Sequence, residues 1–235
     1  MESTDETKHL SYVEFPLPGP GGMPLGLRQC NDTLDHGTTV WDSAKALAKH
    51  LPALSGGLKG KRCIELGAGC GLVGLTAVAY GPSRVHLTDL PSVVENVLRP
   101  NLKMNLSNLK ERNQGVYLSV GVLDWLDTSH DPMAMGEKGE DKEGVGHEPF
   151  DLIFAADCVY ERSLLQPLVE LIARLAGPRT VAYVAFERRD SMVCDQFIRL
   201  CQDKAWEARP IPKRQLKSLR LENDEVEIWK IRCLS

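Results

Sequence analysis

The sequence predicts an α/β domain: a seven-stranded, mostly parallel sheet with helices on both faces and a C-terminal antiparallel hairpin. Three observations carry this. Short apolar runs alternate with segments of helical period from residue 62 to residue 203, the pattern of repeated strand–helix–strand units. A glycine-rich stretch joins the first of these strands to the first of these helices. After residue 205 the alternation stops, and residues 206–211 and Val226–Arg232 (VEIWKIR) pair as a hairpin. A chain of 235 residues, 43% hydrophobic and 26% charged, is long and apolar enough for one domain with a sizeable core.

Each element has its own signal. Residues 1–37 are rich in Pro and Gly (PLPGPGG at 16–22) and read as a loosely held arm with a short strand around residues 25–30. Thr38 or Thr39 can cap a helix beginning near Trp41, whose apolar spacing runs through Ala44, Leu47, Ala48 and Leu51 until Pro52 stops it. Arg62–Leu66 is a buried strand and 72–80 a helix; 84–88 is a second strand and 93–106 a second helix, with Pro91 near its start. Strands follow at 116–120, 151–156 (DLIFAA) and 180–186 (TVAYVAF), with helices at 164–175 and 191–203. The domain therefore spans 38–235. It is interrupted at 127–149 by a charged, Gly/Pro-rich stretch without apolar period, which reads as a surface insertion.

Composition narrows the function. A net charge of −4 and a pI near 5.9 argue against a partner bound through its phosphate backbone. MESTDETKHL holds no apolar core of a signal peptide, and no run approaches the ~18 apolar residues of a membrane span. A cytoplasmic protein, nuclear as well in some settings, is the expectation. Seven cysteines without a C-x-x-C pair read as reduced thiols, with no metal site.

The strongest local signal is Cys63-Ile-Glu-Leu-Gly-Ala-Gly-Cys-Gly-Leu-Val-Gly74. A strand ends, glycines turn the chain and bring backbone close to a ligand, and a helix N-terminus offers free N–H groups. Two cofactor classes use this device. Gly69-x-Gly71-x-x-Gly74 spells a dinucleotide fingerprint, and Glu65-x-Gly67-x-Gly69-x-Gly71 the loop of class I methyltransferases. Asp89, eighteen positions beyond Gly71, suits a ribose in either class. Glu65 favours the second, because a carboxylate there repels a pyrophosphate and suits the ammonium of S-adenosylmethionine.

Four further pieces fall in order around the loop: Val40-Trp41-Asp42-Ser43-Ala44, Leu123-Asp124-Trp125, Asp157-Cys158-Val159-Tyr160 and Phe186-Glu187-Arg188. With ELGAGCGLVG they resemble the family-16 protein methyltransferases, a seven-β-strand group that includes lysine methyltransferases of Hsp70-type chaperones and of valosin-containing protein. The resemblance runs from about residue 25 to the end and implies a Rossmann-like fold binding S-adenosylmethionine, with S-adenosylhomocysteine as product. It implies cofactor contacts at Trp41, Glu65, Gly67, Ala68, Gly69, Gly71, Asp89, Asp124, Trp125 and Ala156, and acceptor-side roles for Asp157 and Tyr160. Plainer readings compete: Trp41 and Trp125 as core, Asp157 as a helix cap, Tyr160 as packing, and Glu187–Arg188 as a surface ion pair. The 127–149 insertion is longer than the family's usual link, and DCVY replaces the N/D-P-P-Y of adenine and glutamine methyltransferases.

Implied, then, is a monomeric protein-lysine N-methyltransferase acting on a cytosolic protein such as a chaperone or an AAA-type ATPase, and not on nucleic acid or a membrane. The alternatives are another acceptor (arginine, histidine, a small molecule) or a non-catalytic module that binds such a partner.

Overall fold

Strands with both faces covered need continuous apolar runs, and those runs form the centre of the sheet. The computed structural model describes residues 7–17, 23–30, 38–127, 149–219, 221 and 223–233. Strands β3 (Arg62–Leu66), β4 (Arg84–Asp89), β5 (Tyr117–Val122), β6 (Phe150–Ala156), β7 (Ala176–Glu187), β8 (Glu207–Pro210) and β9 (Val226–Arg232) form one sheet in the order β5-β4-β3-β6-β7-β9-β8. The first five are parallel; β9 runs antiparallel to both β7 and β8. The strand order reverses between β3 and β6, and open α/β sheets place ligands at the carboxyl ends beside such a reversal.

Period-2 alternation sends β3 to two cores. Cys63 packs into a cluster with α1 (Asp42–His50), α2 (Leu72–Val78) and α4 (Arg99–Arg112), and Ile64 and Leu66 into one with α5 (Arg162–Leu175) and α6 (Ser191–Asp203). The second helix is longer than expected. It opens as α3 (Pro91–Val93) and passes through a π turn (Val94–Leu98) into α4. Pro100 has no N–H to donate to the preceding turn, and the widened turn lies just before it.

Three expectations need correction. The described part of the N-terminal arm is not loose: β1 (Tyr12–Phe15) and β2 (Leu25–Arg28) form a hairpin, with Leu25 and Leu27 fully buried at about 1.5–3 kcal/mol each. The outer edge of β2 pairs with side chains. Asn105 bonds the N–H and carbonyl of Gly26 (3.0 and 2.8 Å), and Asn101 bonds those of Arg28 (2.8 and 3.1 Å). Neither Thr38 nor Thr39 caps α1; Trp41 stands at its N-cap without a side-chain bond, and the Thr38 carbonyl accepts from the Cys30 N–H instead. A short helix, α7 (Lys213–Ser218), stands between the hairpin strands. The insertion expected at 127–149 falls, apart from its two end residues, outside the described residues. No helix among the described residues is long and apolar enough to cross a membrane.

Candidate cofactor and acceptor site

The carboxyl ends of β3, β4 and β6 open onto a cleft of about 500 Å³, within the usual range of small-molecule sites. At its floor the chain leaves β3 through Gly67, Gly69 and Gly71, all at positive φ (59°, 55° and 83°). A side chain at Gly67 would stand 2.8 Å from Cys158 Sγ and 3.2 Å from the Trp125 ring. The loop therefore needs glycine both for its backbone and for the closeness of its neighbours. Gly71 is the N-cap of α2 and does not line the cleft.

Two buried carboxylates brace this floor. Asp89, at the end of β4, accepts from the Gly69 N–H and the Leu90 N–H, each at 2.7 Å. A carboxylate offers about four lone-pair sites on its two oxygens, the chemistry that two hydroxyls on adjacent carbons call for. Glu65 Oε2 accepts from the Gly74 N–H at 2.7 Å, within the first turn of α2. Burial pushes the Glu65 carboxyl up to about 8; the Gly74 N–H pulls it down, the charge of Asp89 pushes it up, and the Val73 N–H pulls it down. Burial thus favours the neutral carboxyl in the ligand-free cleft, and an approaching cation favours the carboxylate.

The cleft walls come from the stretch after β5, the start of α1 and the stretch after β6. Leu123 N–H donates to the Asp89 carbonyl at 2.9 Å, which sets Asp124 and Trp125 beside the glycine loop; Asp124 Oδ1 then accepts from the Leu126 N–H at 2.9 Å. Trp41 enters from the start of α1, and Ala68 and Ala156 are small residues on the lining. Asp157 follows β6 with φ 58°, its N–H bonded to the Ala185 carbonyl at 2.8 Å. Its carboxylate pairs with Arg189 Nη1 at 3.2 Å; burial raises its pKa, with Arg189 opposing. It caps no helix, since Glu161 caps α5. Tyr160 is 46% exposed at the rim. Of the twelve expected site residues, all but Gly71 meet in this one cleft.

Arg189, Cys158, Cys70, the buried Leu123 and the apolar rim of Leu90 and Leu126 were not anticipated as site residues from the sequence. For Arg189 a signal existed: a cation closes the FERR run at the end of one strand, and Asp157 directly follows the strand before it. Glu187 and Arg188 are not one isolated surface pair. Arg188 bonds Glu227 and Asp195, and Glu187 bonds Arg189.

A glycine loop, a carboxylate at the end of β4 and a cleft at the reversal of this sheet give the layout of the class I methyltransferase fold. A solved S-adenosylmethionine-dependent, TehB-like methyltransferase from Corynebacterium glutamicum has the same fold, with TM-score 0.50 at 18% identity, covering 84% of this chain and 90% of that one. The chain belongs to the lysine methyltransferase family, whose model matches residues 23–204. The protein-lysine N-methyltransferase rrg1 of Schizosaccharomyces pombe is 30% identical over 179 residues, 76% of this chain and 55% of that protein. The protein N-lysine methyltransferase METTL21A of Danio rerio is 30% identical over 177 residues, 75% of this chain and 71% of that protein. This chain's match thus spans little more than half of the yeast relative.

Proposed function

We propose that the chain is a protein-lysine N-methyltransferase whose cofactor lies on the β3–β4 side of the cleft and whose acceptor enters on the β6–β7 side. The observation that carries this is the meeting of Gly67, Asp89, Trp125 and Asp157 in one cleft at the reversal of the sheet. The family and the names of the relatives support a protein acceptor; a cytosolic acceptor is part of the proposal.

The residues present fit the cofactor. The cradle at Gly67 tolerates no side chain, Asp89 offers acceptors for ribose hydroxyls, Trp125 a flat face for a purine, and Glu65 a carboxyl for an amino group. When bound, S-adenosylmethionine supplies an electrophilic methyl on a sulfonium, so the chain's task is alignment. Asp157 draws the acceptor ammonium to the rim and orients it. A lysine is ~10.4 in water and must lose its proton before attack, which the dry walls of the cleft favour. Tyr160 walls the entry and excludes bulk water, and the released proton leaves to solvent.

The test is transfer of an isotope-labelled methyl group from S-adenosylmethionine into cell extract, followed by mass spectrometry. Label on lysine of one or a few proteins is the expected result. Label on arginine, histidine or a small molecule would overturn the acceptor assignment. Absence of transfer with intact S-adenosylhomocysteine binding would leave a binding module.

A further inference from the structure

A cation already stands at the acceptor side of the cleft. The Arg189 guanidinium donates from Nη1 to Asp157 Oδ2 at 3.2 Å, and from Nε and Nη2 to Glu187 Oε2 at 2.9 and 2.7 Å. Its central carbon lies 4.9 Å from the centroid of the Trp41 ring, and Lys8 Nζ lies 5.2 Å from the same ring. Carboxylates beside an aromatic face make a seat for a cationic side chain, and Trp41, Asp157 and Arg189 all line the cleft.

The members of this seat differ in freedom. Asp157 is 8% exposed and held through its backbone by β7, whereas the Arg189 side chain is 41% exposed. The carboxylate is the fixed partner and the guanidinium the movable one. Arg189 also has somewhere to go: releasing Asp157 breaks one of its three bonds and leaves both contacts to Glu187. Arg188, next in the chain, has no such relation to the cleft, being bonded to Glu227 and Asp195.

We propose that Arg189 is a displaceable occupant of the acceptor's cation seat, holding the place between Asp157 and Trp41 that the acceptor ammonium takes by exchange. This rests on the reading of the cleft as a lysine methyltransferase site. Before substrate arrives, the guanidinium keeps a buried carboxylate paired, which an empty seat would not. An incoming side chain must bring its own positive charge to replace it. A neutral side chain of the same length leaves Asp157 without a cationic partner, so the exchange selects for a cation.

The experiment uses the whole chain loaded with S-adenosylhomocysteine and titrated with N-acetyl-lysine methylamide, with binding read from the Trp41 side-chain NMR signal. Arg189→Met keeps the stem beside Trp41 and removes the charge. It should bind the probe roughly tenfold more tightly than the unaltered protein does. Arg189→Lys should stay near the unaltered value, and adding Asp157→Asn to Arg189→Met should remove the gain. The neutral N-acetyl-norleucine methylamide should show no gain in any variant. Unchanged or weaker probe binding in a folded Arg189→Met protein would overturn the exchange and leave Arg189 as a staple between strand ends. If Arg189→Met melts early, Arg189→Gln carries the same comparison. Failure of S-adenosylhomocysteine to bind the unaltered protein sinks the functional reading; binding with unaltered probe affinity sinks only the exchange.

Discussion

The two halves of the cleft are built from different bonds. On the β3–β4 side, the carboxyl groups of Glu65 and Asp89 accept from backbone N–H groups of the glycine loop, helix α2 and Leu90. On the β6–β7 side, Asp157 and Glu187 face a side chain, Arg189, that also stacks on Trp41. Backbone donors cannot rotate away, so the first half is organised before any ligand arrives, at little ordering cost on binding. Side-chain pairs can be exchanged for a ligand's own groups. A cofactor common to many acceptors suits the fixed half, and an acceptor that enters as a cation suits the exchangeable one.

Four substitutions break or sharpen this division, beginning with the largest effect. Asp157→Asn keeps the shape and removes the acceptor-side charge; methyl transfer should fall by roughly 10²–10⁴-fold. Transfer that survives within a few-fold would strip Asp157 of its guiding role. Asp89→Ala removes the proposed ribose acceptor and also leaves the Gly69 N–H without its partner. Loss of charge-assisted bonds of about 1.5–3 kcal/mol should weaken S-adenosylhomocysteine by roughly 10- to 100-fold, read by calorimetry. An unaltered dissociation constant in folded protein would remove Asp89 from the ribose.

Gly67→Ala tests the cradle itself. Its φ of 59° costs an L-residue about 1–2 kcal/mol, and the new methyl meets Cys158 Sγ. The expected result is a lower melting temperature together with cofactor affinity down by roughly tenfold. Unchanged affinity would mean that the loop does not approach the ligand closely. The smallest signal comes from Glu65, whose carboxyl stands at about 8 in the ligand-free protein. An ammonium brought beside it lowers that value, so near pH 7 binding of S-adenosylhomocysteine should release up to about one proton. The release should vanish above pH 9, where Glu65 is already ionised, and in Glu65→Gln at any pH. Titrations in buffers of different ionisation enthalpy read it directly; zero release at pH 7 would place the amino group elsewhere.

The same contrast explains how much could be read from the sequence. The fixed half was legible because its parts are close in the chain or tied to strand ends: Gly67 to Gly71 follow β3 directly, and Asp89 ends the next strand. The exchangeable half was legible only in part. Asp157 and Tyr160 stand in one short motif, but the partner of Asp157 lies 32 residues away, brought close by parallel pairing of β6 with β7. Of the N-terminal hairpin, the strand near residues 25–30 was legible as β2, but its partner β1 and its docking were not, because their support is tertiary. Four-residue strands carry little pattern of their own, and Asn101 and Asn105, which bond β2, read as ordinary polar residues of a helix.

The division of labour is tested most directly by calorimetric titration of S-adenosylhomocysteine into Asp157→Asn and Asp89→Ala side by side. Binding within a few-fold of the unaltered protein for Asp157→Asn, and weaker by roughly 10- to 100-fold for Asp89→Ala, is the predicted result. Equal loss in both folded variants would contradict it, because the two carboxylates would then serve one undivided pocket.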